Sequence, residues 1–401
     1  MTSEWNHFAL GEITELVIDY RGKTPKKLGG DWCKQGYRAL SAKNIKTGRI
    51  VQAETIRYID ESLYRKWMKD EVQRGDILIT SEAPFGQIFF WDSDEKIVLS
   101  QRLFCVRIKP EYDARFIYYY MTTPEFQSEL DGRATGTTVI GLRQPELMKC
   151  VIRCPEIQEQ KVIAAILSSI DAKIIANEKV NDNLEQQAQS YFQELFVDNA
   201  DPEWAIGTIS DLGTVVGGST PSKAKPEYYT ESGIAWITPK DLSINKSKFV
   251  SHGENDITEL GLKNSSAAIM PRGTVLFSSR APIGYIAIAA GEVTTNQGFK
   301  SVVPKPEIGT PFVYFFLKNT LPVIEGMASG STFKEVSGST MKNVPAVIPD
   351  VETLAKFSDF CAPIFAQQRI LEEQNQSLAT LRDNLLPKLM SGEIDVSAVQ
   401  L

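Results

Sequence analysis

Histidine is scarce: the chain has two in 401 residues, His7 and His252, and they lie far apart. That scarcity argues against histidine-built metal sites and against repeated His-dependent catalytic centres. The five cysteines, Cys33, Cys105, Cys150, Cys154 and Cys361, form no framework. Cys150 and Cys154 have no second Cys/His pair nearby at zinc spacing, so the expectation is a reduced setting without a structural metal. No stretch reaches the roughly 18 consecutive apolar residues of a membrane helix. Residues 1–10 place Glu4, Trp5, Asn6 and His7 where a signal peptide needs a basic patch and an apolar run. A cytoplasmic protein with no membrane partner is expected.

Catalytic signatures are missing as well. Gly22-Lys23-Thr24 matches the end of a phosphate-binding loop, but the glycine required five residues earlier is Val17. There is no Gly-x-Ser-x-Gly elbow, no His-Glu-x-x-His pair and no dinucleotide fingerprint around Gly217-Gly218. The Asp/Asn-Pro-Pro-Tyr/Phe of an adenine methyltransferase is absent, because no Pro-Pro dipeptide occurs. The chain is therefore read as non-catalytic. A hydrolase working through Asp or Glu would need a shared carboxylate pair, and Glu82 is matched by Arg280 in the repeat described below.

The net charge of −7 lowers the expectation of nucleic-acid binding if it is taken as an average. The distribution is segregated, however. Between Tyr20 and Arg49 nine Lys and Arg residues face one acid, Asp31, whereas acids dominate between Asp171 and Asp198.

What the chain does contain is a copy of itself. Gly22-Lys23-Thr24-Pro25 matches Gly218-Ser219-Thr220-Pro221, and GYRALSAKNI from Gly36 matches GIAWITPKDL from Gly233. LITSEAPFG from Leu78 matches LFSSRAPIG from Leu276, FIYYYM from Phe116 matches FVYFFL from Phe312, and Gly136-Thr137-Thr138 matches Gly330-Ser331-Thr332. Order is preserved and the offset stays between 194 and 198, too long for a solenoid and right for a duplicated domain. Runs such as 77–79, 88–91 and 103–106, with partners 275–277, 285–288 and 301–303, read as strands, and Ala-Pro-x-Gly at Ala83 and Ala281 as turns. Residues 116–121 and 312–317 read as buried helix segments rather than stacking platforms for single-stranded nucleic acid.

Each copy ends in a heptad-like run. Ile170, Ile174, Asn181, Leu184, Tyr191 and Leu195 carry the first stripe; Ile364, Leu371, Asn375, Leu378, Leu385 and Leu389 carry the second. A helix over 170–197, about 28 residues and roughly 42 Å long, cannot bury such a stripe alone. An antiparallel coiled coil is expected, with Asn181 or Asn375 fixing register; the alternative is that each helix covers its own domain. The fold class is thus α/β (mixed α+β). Two tandem globular domains at 1–155 and 201–349 are separated by helical spacers at 156–200 and 350–401.

Two reading heads held by helices suit DNA. Candidate contacts in the first copy are Arg21, Lys23, Thr24, Lys26, Lys27, Lys43, Asn44, Ser81, Glu82, Arg102, Arg133, Thr135, Thr137 and Thr138. In the second they are Ser219, Thr220, Lys223, Lys225, Lys240, Ser279, Arg280, Lys300, Ser331, Thr332 and Lys334. Lys and Arg suit phosphates, and Thr, Asn and Ser suit base edges. Glu82 can accept from cytosine N4 whereas Arg280 can donate twice to guanine, so the two half-sites are expected to differ.

With the duplication stand Pro155-Glu156-Ile157-Gln158-Glu159-Gln160 before the first helix and the run Leu385 to Ile394 (LLPKLMSGEI) at the end of the second. On these features the whole chain resembles the specificity subunit of a type I restriction-modification system. The resemblance implies two domains each reading half of a split double-stranded DNA target, and helices that set the spacer and dock methyltransferase subunits. It also implies no cofactor in this chain: S-adenosylmethionine would belong to the methyltransferase subunits, ATP and Mg to the restriction subunits. One departure stands out, since after Pro349 the second copy reads Asp-Val-Glu-Thr-Leu without the Glu159-Gln160 pair. The competing class is a duplicated protein-binding scaffold whose loops bind no DNA.

Overall fold

In the computed structural model, which describes residues 5–136, 140–330, 334–396 and 398–399, the apolar runs become strands with both faces covered. Ile77–Thr80 is the clearest case. Ile77 and Ile79 enter one core together with Phe104 and Val106, while Leu78 enters another with Leu103 and Cys105. A strand buried on both sides loses the apolar/polar alternation, which is why this segment reads as an unbroken run.

The chain divides into two units, Met1–Lys173 with Leu378–Leu401, and Ile174–Ser377. In the first, the main sheet orders Thr14–Asp19, Leu103–Ile108, Ile77–Thr80 and Ile88–Phe90, all antiparallel. In the second, the order is Gly213–Gly217, Lys300–Pro304, Val275–Ser279 and Ile283–Ala289. An extra edge strand, Phe249–Val250, pairs in parallel with the last of these. Each unit adds a smaller sheet around a parallel pair, Tyr37–Leu40 with Val98–Leu99 in one and Ile234–Ile237 with Thr294–Thr295 in the other. Helices Ala114–Met121 and Thr310–Gly326 contain the aromatic runs, and residues 116–121 are all buried.

The first long helix is Ile157–Gln193, starting well before residue 170 and passing into a π-helical turn, Glu194–Asp198; the second is Val351–Met390. Both helices contribute to the core of each unit. In the first unit Ile163 and Leu167 share a core with Leu389 and Met390, and Leu385 packs against it. In the second, Ala188 and Phe192 join Leu354, Phe357 and Ile364, flanked by Leu184, Tyr191 and Leu195. Ile170, Ile174 and Leu371 are buried, and Leu378 is half-buried.

Polar contacts in the second unit give the pairing its antiparallel direction. Asn177 donates to Asn375 Oδ1 at 2.8 Å, and Gln368 donates to the Asn181 carbonyl at 3.2 Å. Asn375 thus takes the seam place expected of it, but its partner is Asn177. The Asn181 amide oxygen is buried without a hydrogen-bond partner. In the first unit Asp171 takes Arg382 at 2.9 Å and the Tyr119 hydroxyl at 2.6 Å.

The two helices start differently. Gln160, 2% exposed, donates to the Pro155 carbonyl at 2.8 Å and accepts from the Asp113 backbone at 2.9 Å. In the second copy Asp350 does the capping, accepting from the Thr353 backbone at 2.8 Å and the Trp204 indole at 3.0 Å, while Leu354 goes into the core. Where the first copy ties Gln160 to the Pro155 and Asp113 main chains, the second therefore uses an N-cap carboxylate. Among the described residues no helix is long and apolar enough to cross a membrane, and no group of three or more His, Cys, Asp or Glu could hold a metal ion.

Candidate nucleic-acid interface

In the first unit, Asp19, Arg21, Glu82, Gln101 and Arg102 line an open polar hollow. Arg21 is rigidly held: its guanidinium lies 4.0 Å over the Phe104 ring, grips Asp19 through two 2.8 Å bonds and donates to the Leu142 carbonyl at 3.2 Å. Glu82 pairs with Arg102 at 3.2 Å. Lys23 donates to the Trp67 carbonyl and sits 3.6 Å over Tyr20. Burial, then the charge of Lys69, lowers its pKa. Lys26, Lys27, Lys43 and Thr135 are exposed, with Lys27 reaching the Gly22 carbonyl at 2.9 Å; Thr24 is half-buried.

Three candidates in this unit have structural posts. Asn44, 1% exposed, accepts from the Ser41 backbone at 3.1 Å and donates to Thr55 at 3.0 Å. Ser81 is fully buried, its backbone bonded to the Arg102 and Leu142 main chains. Arg133 pairs with Glu129 at 2.9 Å and Glu146 at 3.7 Å, the Glu129 hydrogen bond raising its pKa. Asn44 and Ser81 are corrected because both are buried, Asn44 on nearby Ser41 and Thr55 and Ser81 on main chain from distant loops, while Arg133 stays half-buried on a partner one helical turn away. Thr137, Thr138, Ser331 and Thr332 lie outside the described residues.

In the second unit Lys223, Lys225, Lys240 and Lys334 are exposed, although Lys240 pairs with Glu254 at 2.5 Å. The Ser219 carbonyl accepts from the Trp236 indole at 2.9 Å, and Thr220 donates to Gln297. Ser279 is fully buried, its hydroxyl on the Gly298 carbonyl at 3.1 Å, so it too is corrected to a structural post. Arg280 and Lys300 converge on Glu335 at 3.4 and 3.7 Å.

The two loop tips carry inverted charge pairs. Glu82 in one copy pairs with Arg102; Arg280, at the matching place, pairs with Glu335. Glu335 itself matches Gly141, where an added Cβ would come within 3.0 Å of the Glu82 side chain. Gly141 thus makes room for the acid at 82. Sequence reasoning missed Gln101 and Gln297, exposed residues at an offset of 196; their repetition was the signal available.

The profile of the family described as Type I restriction modification DNA specificity domain matches residues 2–186 and again 202–381. The chain belongs to that family. It carries two copies of the specificity domain, and similar curated proteins are specificity subunits. That of the type I restriction enzyme MjaIX of Methanocaldococcus jannaschii is 39% identical over 194 residues, 46% of this chain and 45% of that one. The HindI specificity subunit of Haemophilus influenzae is 22% identical over 408 residues, 81% of this chain and 88% of its own. The S subunit of a type I restriction-modification system from M. genitalium has a similar fold, with a TM-score of 0.59 at 17% identity over 96% of both chains. Against this family the scaffold alternative is not favoured.

Proposed function

We propose that this specificity-family chain recognises double-stranded DNA, each domain reading one half of a split target while the paired helices fix the spacer and dock methyltransferase subunits. The observation that carries this reading is one scaffold used twice with loop tips of opposite charge arrangement, Glu82 with Arg102 against Arg280 with Glu335. A shared scaffold gives both domains the same approach to a duplex, and different side chains give them different bases. In this reading the chain is non-catalytic. S-adenosylmethionine is held by the methyltransferase subunits, ATP and Mg by restriction subunits, and the complex works in the cytoplasm.

The test is a map of methylated adenines across the source genome with the gene intact and deleted. Loss of one split motif is expected. An unchanged map, together with salt-independent DNA binding by the reconstituted complex, would reject the reading.

A further inference from the structure

A half-enclosed cavity of about 210 Å³ opens on the first unit beside the polar hollow. Its floor is buried: Ala39, Ala42, Trp67 and Ser100. Lys43, Arg57, Gln101 and Arg102 stand exposed around it, and Lys23 reaches it with its ammonium on the Trp67 carbonyl. Four cations thus line one cavity and, among the described residues, no Asp or Glu does, in a chain of net charge −7. Arg57 is set in place by Trp32, 4.4 Å from its ring centroid, and Arg102 by Glu82 from outside the cavity. Like charges gathered around one concavity raise each other's energy and focus a field that favours an anion.

The second unit lacks this arrangement. The strand register matches Arg57 to Asn255, and the sequence matches Lys23 to Ser219 and Arg102 to Gly298. Lys240, which matches Lys43, is paired with Glu254. Three cations are replaced by uncharged residues and the fourth, like Arg102 in the first unit, is paired with a carboxylate, so the duplicated scaffold does not itself require the charge.

The chemistry that fits is a phosphate ester. Guanidinium groups and ammonium groups bind its oxygens, and the cavity is larger than a phosphate alone fills, with tryptophan in its wall. We propose that this cavity receives one nucleotide unit, with its phosphate on Lys43, Arg57 and Arg102 and its base inside. Where this rests on the DNA-recognition reading, the nucleotide belongs to the strand bound by the first domain; a free nucleotide offers the same chemistry.

The full chain is titrated with deoxyadenosine monophosphate while the Trp32 contribution to fluorescence is followed, with Trp32→Phe as the blank. Saturable quenching is expected, with a midpoint weakened at least tenfold by Arg57→Ala or Lys43→Ala and unmoved by Lys240→Ala. In parallel, DNA binding by the reconstituted complex is measured against salt; Arg57→Ala should lower the log–log slope by about 0.9, one phosphate's share. Quenching with an unchanged slope keeps the site and assigns it to free nucleotide. A slope change without quenching, or neither signal, overturns the proposal. Failure of the wild-type complex to bind DNA would count against the recognition reading, and the nucleotide titration alone would then decide the cavity.

Discussion

Lys248 and Glu185 form a buried contact in the second unit, and removing Glu185 alone should be worse than removing both partners. The Lys248 side chain is 6% exposed and its ammonium lies 2.5 Å from Glu185, 2.8 Å from Gln368 and 3.8 Å over the Phe365 ring. Glu185 is shared with Lys318 at 2.5 Å and the Tyr314 hydroxyl at 3.2 Å. The next residue begins the edge strand, whose first backbone amide is held with that of Lys248 by Glu372 at 3.0 and 2.7 Å. Glu185→Ala leaves the buried Lys248 ammonium without its paired carboxylate, which costs about 3–5 kcal/mol. Lys248→Met keeps the apolar stem and leaves Glu185 its other partners, so the loss is that of a charged hydrogen bond, about 1.5–3 kcal/mol. Combining the two should recover at least about 1 kcal/mol relative to Glu185→Ala alone, because the stranded charge is gone.

Urea unfolding of the three variants measures this, and exchange of the Phe249 and Val250 amides reports whether the edge strand loosens. Additive losses would refute the reasoning. Acid adds a second readout. Burial alone would raise the Glu185 carboxyl, but Lys248 and Lys318 hold it below its ordinary value. A depressed folded value means stability that is present above the unfolded pKa, about 4.3, and lost as pH falls through the folded one. Wild type should therefore lose more stability than Glu185→Gln over that range.

Further outcomes follow from the same structure. Asn177→Leu leaves Asn375 without its 2.8 Å partner and should destabilise by about 1–3 kcal/mol in denaturant titration, whereas Leu at both positions should restore stability. Burial raises the Cys150, Cys154 and Cys361 thiols to about 12 and Cys105 well above its ordinary value, so native alkylation at pH 8 should label Cys33 alone by mass spectrometry. Inserting one heptad into both long helices should lengthen the spacer of the methylated motif without changing its halves, and an unchanged spacer would reject the helices' proposed role.

How much of this was legible in the sequence depended on whether the partners were local. Strands such as Ile77–Thr80 and the helix Ala114–Met121 announced themselves through short apolar runs, and the duplication through matched offsets. The first long helix starts at Ile157, inside the spacer expected over 156–200, but nothing local in the sequence signals that Gln160 is tied to the Asp113 backbone, 47 residues away. Ser81, Ser279, Asn44 and Arg133 looked like surface polarity; the Leu142 amide on the Ser81 carbonyl and Glu146 beside Arg133 are visible only once the loops fold back. The reverse also held. Arg57 and Trp32 lie outside any motif, and it is the pairing of Ala39 with Arg57 in the small sheet that brings Arg57 beside the lysine loop.

The central claim is that each domain reads its own half of the target. The most direct measurement is a methylated-adenine map from complexes carrying Arg280→Ala with Gln297→Ala, compared with Glu82→Ala with Gln101→Ala. The account predicts that each pair relaxes one half of the motif, a different half in each case, with the other half and the spacer intact. Relaxation of both halves by either pair, or an unchanged motif from both, would contradict it.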